Sequence, residues 1–121
     1  MKLPLQITFH GIDHSDAVEE RIREKVAKLE QFYDRITACR VAIEAHHRNT
    51  SNLHHSGEPF HIRIDLTVPG TELVVKRDPK DAHDHEDINV ALRDAFQAME
   101  RQLKEFAARQ RDETRIQAAE A

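Results

Sequence analysis

A chain of 121 residues holds one domain's worth of sequence, since independent domains run to about 100–150 residues, and it is long enough to bury a core. With 18 Lys+Arg against 22 Asp+Glu the formal net charge is −4, the pI is about 6.1 and the mean hydropathy −0.70, which weighs against a generic basic nucleic-acid binder. Hydrophobic residues at 39% are too many for a wholly disordered chain, and the single cysteine, Cys39, rules out an internal disulfide framework and a cysteine-based zinc finger. No apolar run approaches the roughly 20 residues that span a bilayer. The start Met1-Lys2-Leu3-Pro4-Leu5 lacks the features of a signal peptide. The cytoplasm is the expected location.

Leu3, Leu5, Ile7 and Phe9 alternate with polar neighbours, and period two predicts a half-buried strand over Leu3 to Phe9, ended by Gly11. Ser15 is a favoured helix N-cap, and Asp16, Glu19 and Glu20 place acids in a first turn where the helix dipole favours them. Val18, Ile22, Val26, Leu29 and Tyr33 then recur at helical spacing, with Phe32 beside them, which predicts an amphipathic helix from about Asp16 to Tyr33. Thr37 to His47 alternates again, with Cys39, Val41, Ile43 and Ala45 on one side. The polar run Arg48 to Glu58 reads as a loop.

Phe60 to Val68 is the clearest strand, Pro69-Gly70 signals a turn, and Glu72 to Arg77 is the return strand of a hairpin. Asp78 to Glu86 reads as an acidic, histidine-containing loop. A long helix follows from Asp87 to about Arg111, with Ile88, Leu92, Ala95, Met99, Leu103 and Phe106 on one stripe. The order β-α-β-β-β-α is an α+β pattern. Strands with one apolar face need cover on one side, so a four-stranded sheet with two helices packed on one face is expected, the other face open to solvent. Residues 1–111 are read as a single domain and 112–121 as a frayed or disordered tail.

Net charge is an average, whereas contact is local. Arg21, Lys25 and Lys28 stand at i, i+4 and i+7 along one edge of the first helix, with Arg35 just past its end, while Asp16, Glu19 and Glu30 fall on the other edge. On the last helix Arg93, Arg101, Lys104, Arg111 and Arg115 cluster away from the apolar stripe, and Lys76, Arg77 and Lys80 form a basic group at the hairpin end. Such residues suit phosphates, and A-form RNA is read mostly by shape and backbone. Equally, helical Lys and Arg are often solvated and pair with acids one turn away, as Glu24 with Lys28 and Glu100 with Lys104 would. Tyr33, the sole tyrosine, could stack on a base, but its place on the apolar stripe reads better as core, as do those of Phe60 and Phe96.

Seven of the nine histidines lie between His46 and His85. Imidazole is a common zinc ligand, so His54, His55, His83 and His85 are weak candidates for a metal site. No His-Glu-x-x-His helix or Cys/His pair at ligand spacing accompanies them, and surface histidines in a polar loop explain them better. His10, Glu44, His46, His61 and Asp65 share one sheet face by parity. An open sheet lacks the concave pocket of a catalytic site, and Cys39 alternates with core positions. No enzyme activity, small-molecule substrate or cofactor is expected.

The stretch Lys28-Leu29-Glu30-Gln31-Phe32-Tyr33-Asp34-Arg35-Ile36 resembles the signature of the ribosome hibernation-promoting factor family, which includes the ribosome-associated translation inhibitors, or sigma-54 modulation proteins. His85-Glu86-Asp87-Ile88-Asn89-Val90-Ala91-Leu92-Arg93-Asp94 resembles the family's entry to its last helix, and Glu100-Arg101-Gln102-Leu103-Lys104 its continuation. The resemblance covers roughly residues 1–111. It departs at Asn89, where an aromatic is usual, in the longer His-rich stretch between the second and third strands, and in a longer hairpin arm through Pro69-Gly70. The resemblance implies a fold similar to double-stranded-RNA-binding domains and binding to rRNA and proteins of the small ribosomal subunit. Occupancy of the tRNA and mRNA channel, and silencing of idle ribosomes under stress or in stationary phase, would follow. Long members add a C-terminal dimerisation domain, and none is expected here. With this resemblance, Arg21, Lys25, Lys28, Arg35, Lys76, Arg77, Lys80, Arg93, Arg101, Lys104 and Arg111 become the expected ribosome-binding residues.

Overall fold

The period-two runs become strands and the two apolar stripes become helices. A computed structural model describes residues 4–45, 60–78 and 87–120, with side chains as far as residue 112. Its elements are β1 (Leu5–His10), α1 (Asp16–Phe32), β2 (Ala38–Ala45), β3 (Phe60–Val68), β4 (Thr71–Arg77) and α2 (Ile88–Glu120). The expected loop at Arg48 to Glu58, and residues 79–86 of the second expected loop, lie outside the described residues.

Both helix starts are fixed by side chains that satisfy otherwise orphaned amides. Ser15 Oγ accepts from the Val18 amide at 3.3 Å. The Asp87 carboxylate accepts from the Asn89 amide at 2.8 Å, while its carbonyl receives the Val90 and Ala91 amides. α2 continues to Glu120, past the expected end near Arg111. The segment carries no Gly or Pro stop, and its Ala, Gln, Glu and Arg residues are good helix formers.

The strands lie in the order β1-β2-β3-β4. β1 runs parallel to β2, and the other two pairings are antiparallel. A parallel pair needs a crossover connection, and α1 is that crossover. Register places Cys39, Val41 and Ile43 opposite Leu66, Ile64 and Ile62, with Val75 opposite Ile64. These side chains are buried together with Ile22, Val26 and Leu29 of α1 and Leu92, Ala95, Phe96, Met99 and Leu103 of α2. One core thus lies between one sheet face and both helices, as the alternation predicts.

Two glycines have left-handed backbone. Gly11 has φ +75°, and a Cβ there would fall against the Ala45 carbonyl; Gly70 has φ +83° with open space around it. Gly70→Ala is expected to cost about 1–2 kcal/mol through backbone strain alone. Gly11→Ala should cost more, because the sheet backbone must also move. Urea unfolding of the two variants reads this ordering, and equal losses would mean that the Ala45 contact relaxes freely.

Candidate functional site

The two helices lie side by side and run in the same direction. Lys25 of α1 feels the charge of Arg93 on α2, Phe32 meets Lys104, and Tyr33 meets Phe106 and Gln110. These pairs advance together along both helices. Tyr33 is core, as its place on the stripe predicts: its ring packs edge-on to Phe106 at 5.7 Å and its hydroxyl donates to Gln110 Oε1 at 2.7 Å.

Above this packing the basic edge of α1 meets α2. Arg21, Lys28 and Arg93 are exposed and Lys25 is half-buried among them. The Lys25 ammonium is held below the usual lysine range by burial first, then by the charges of Arg21, Lys28 and Arg93; only Glu24 pulls the other way. Among the described residues no carboxylate comes within ion-pairing distance of Arg21, Lys25 or Lys28, so the expected Glu24–Lys28 pair does not form. Arg93 leans on the neighbouring Asp94 at 3.5 Å. Like charges gathered this way repel, and a bound anion relieves the repulsion.

Further along the seam Lys104 Nζ sits 4.4 Å from the centroid of the Phe32 ring. It pairs with no acid among the described residues, so the expected Glu100–Lys104 pair is also absent. Arg35, Arg101 and Arg111 are exposed. The hairpin residues are not brought into this surface. Lys76 faces the open side of the sheet, opposite Arg63. Arg77 points to the helix side and is tied to Asp94 at 3.2 Å. Period two through Leu73, Val75 and Arg77 carries that signal in the sequence. Lys80 and the histidines His46, His47, His54, His55, His83 and His85 lie outside the described residues.

The open sheet face gathers His10, Glu44, His61 and Asp65 by register, as parity predicts, and its charges are mutually engaged. Asp65 accepts from Arg63 Nε at 3.1 and 3.2 Å, Arg40 donates to Glu72 at 3.1 Å, and His61 meets Asp78 at 2.7 Å. Burial first, and then the charges of Asp65 and Glu30, push the Cys39 thiol up to about 12, which leaves no thiolate to act as a nucleophile near neutral pH.

One cluster escapes the sequence reading. His14, Asp16 and Glu19 bring ligand atoms within 4.8 Å of one another at the start of α1. His14 already meets Glu19 at 3.0 Å and Asp16 at 3.4 Å, and Glu19 also accepts from Arg23 at 2.9 Å. The Arg23 hydrogen bond, followed by that of His14, holds the Glu19 carboxyl below its ordinary range. These are ion pairs that brace the first turn of a helix, and the His-x-Asp-x-x-Glu spacing is the signal that could have found them.

Residues 5–111 match the family described as Sigma 54 modulation protein / S30EA ribosomal protein. A ribosome hibernation promotion factor of Deinococcus radiodurans is 25% identical over 104 residues, covering 86% of this chain and 49% of the relative. A ribosome hibernation promoting factor of Azotobacter vinelandii is 27% identical over 101 residues, covering 84% of this chain and 79% of the relative. The chain thus spans about half the length of the first relative and about four-fifths of the second. Among solved structures, the N-terminal domain of Thermus thermophilus Protein Y superposes with a TM-score of 0.61 at 17% identity, covering 86% of this chain and 99% of that one. A ribosomal subunit interface protein from Coxiella burnetii gives 0.62 at 16%, covering 88% and 99%. At these identities the likeness is one of fold. No helix among the described residues is long and apolar enough to cross a membrane.

The crowding at Lys25 is directly measurable. Removing one neighbouring charge, as in Arg93→Ala, should raise the Lys25 pKa towards the ordinary lysine value, followed by NMR titration of the side-chain ammonium. An unmoved Lys25 would mean that Arg93 stands too far off to belong to the cluster.

Proposed function

The chain belongs to the Sigma 54 modulation protein / S30EA ribosomal protein family, and from that premise we propose that it is a ribosome hibernation factor acting on the small ribosomal subunit. In this reading the seam between α1 and α2 lies against rRNA, and the body of the domain occupies the channel that tRNA and mRNA would otherwise use. Translation stops by occupancy, steric and electrostatic, with no bond made or broken. Starved or stressed cells, with many idle ribosomes, are the setting that suits such a device, and the cytoplasm is its place.

The observation that carries the proposal is the four-cation group Arg21, Lys25, Lys28 and Arg93, drawn from both helices, with no acid paired to its three α1 members among the described residues. Phosphates are the complementary charge, and each Lys or Arg that meets one releases a counterion. Contacts of this kind fix position on an RNA helix without reading sequence. The names of the Deinococcus and Azotobacter relatives support the same reading. The net charge of −4 fits it too: acids on the remaining surface discourage indiscriminate RNA binding, so one shaped site is favoured.

Sucrose-gradient sedimentation of the tagged protein from growing and starved cells tests this. The protein is expected in small-subunit fractions at low salt and to leave them as salt rises. The triple variant Arg21→Glu, Lys25→Glu, Lys28→Glu should no longer co-sediment, while its circular dichroism stays native. Unchanged co-sedimentation of the variant would remove this face from the mechanism, and absence of the wild type from every ribosomal fraction would overturn the proposal.

A further inference from the structure

Phe32 is one of only two large hydrophobic side chains exposed among the described residues, at 39%, whereas its neighbour Tyr33 is 9% exposed and packed in the core. A single exposed hydrophobic side chain is common on a protein surface; what sets Phe32 apart is the basic company it keeps. It presents its ring at the seam, one helical turn after Lys28 and beneath the Lys104 ammonium, 4.4 Å from the ring centroid. Basic residues flanking an exposed aromatic face are what a single strand of nucleic acid requires, cations for its phosphates and a π-face for its bases.

We propose that Phe32 is a stacking platform for an unpaired RNA base, with Lys28 and Lys104 holding the phosphates on either side. This rests on the seam being an RNA surface and adds what it reads there, an unstacked base beside the duplex backbone. Lys104 is the lid of the platform. An ammonium over an exposed phenyl ring is held more weakly than a stacked base, so an arriving base displaces it and frees it for the adjoining phosphate. Duplex RNA keeps its bases stacked on one another and cannot use the ring, so the seam should prefer a site with a bulged or single-stranded nucleotide.

The chain has no tryptophan, so Phe32→Trp supplies a sole indole reporter at the position in question. Its fluorescence should fall saturably on titration with an unstructured RNA octamer. Inorganic polyphosphate, which carries charge without bases, should bind by calorimetry and leave the emission unchanged. In the same assays Phe32→Leu, which keeps apolar bulk without a π-face, should bind the octamer about tenfold more weakly, the scale of one base–aromatic stack, and bind polyphosphate as the wild type does. Phe32→Tyr should restore octamer binding. If Phe32→Leu matches the wild type towards both ligands and the indole is not quenched, the stacking role is overturned while the seam remains an anion surface. If the wild type binds neither ligand, the seam is not an RNA surface and both readings fall.

Discussion

The alternation of β2 and β3 obliges both helices to lie on the same side of the sheet. Cys39, Val41 and Ile43 of β2 and Ile62, Ile64 and Leu66 of β3 are almost wholly shielded from solvent, while their alternate neighbours Arg40, Arg63 and Glu44 face water. Burial of that much aliphatic surface is the largest favourable term available to a domain of this size. α1 reaches its place through the parallel β1–β2 crossover. α2 is drawn over the β4 edge, where Gln102 donates to the Val74 carbonyl at 3.1 Å and Asp94 holds Arg77. Two helices on one face must lie flank to flank, and their outer edges become a single surface.

That surface and the open sheet face are built from similar residue types, but the charges gather with one sign on the first and pair off on the second. On the sheet, period two places Arg40, Arg63, Asp65 and Glu72 as cross-strand and same-face neighbours, so acids and bases meet. Such exposed pairs add little stability, but they cancel one another's field. Along the seam the cations of α1 meet a cation of α2, and of the α1 acids only Glu24 acts on Lys25, while Glu19 is occupied with His14 and Arg23 at the start of the helix. A modest number of Lys and Arg residues therefore yields a concentrated positive field in a chain of net negative charge.

Much of this is legible in the sequence, because it follows from local periodicity. β3 runs from Phe60 to Val68 as the alternation indicates, and Ser15 caps α1. The end of α2 is not legible in the same way: the apolar stripe stops near Ala107 while helix-forming residues continue, and the backbone follows propensity where packing no longer decides. The helical wheel marks the basic edge of each helix. It cannot say that the edge of α1 carrying Lys25 will face the edge of α2 carrying Arg93, because that depends on how both helices settle on the sheet. Nor can it show that the Phe32 ring will stay part-exposed beneath Lys104, because that depends on where α2 settles beside α1. Arg77 is the opposite case, since the parity of β4 already turns it away from Lys76.

The hydrogen bond from Tyr33 to Gln110 joins residues 77 positions apart, and the basic group likewise takes its members from the first helix and the last. A chain emerging during its own synthesis, with β1 to β4 complete and α2 still unmade, has no seam. Domains fold as units once their sequence is available, so the surface comes into being only after the final element has been made and has docked. The seam is thus a property of the docked pair of helices and of neither helix alone.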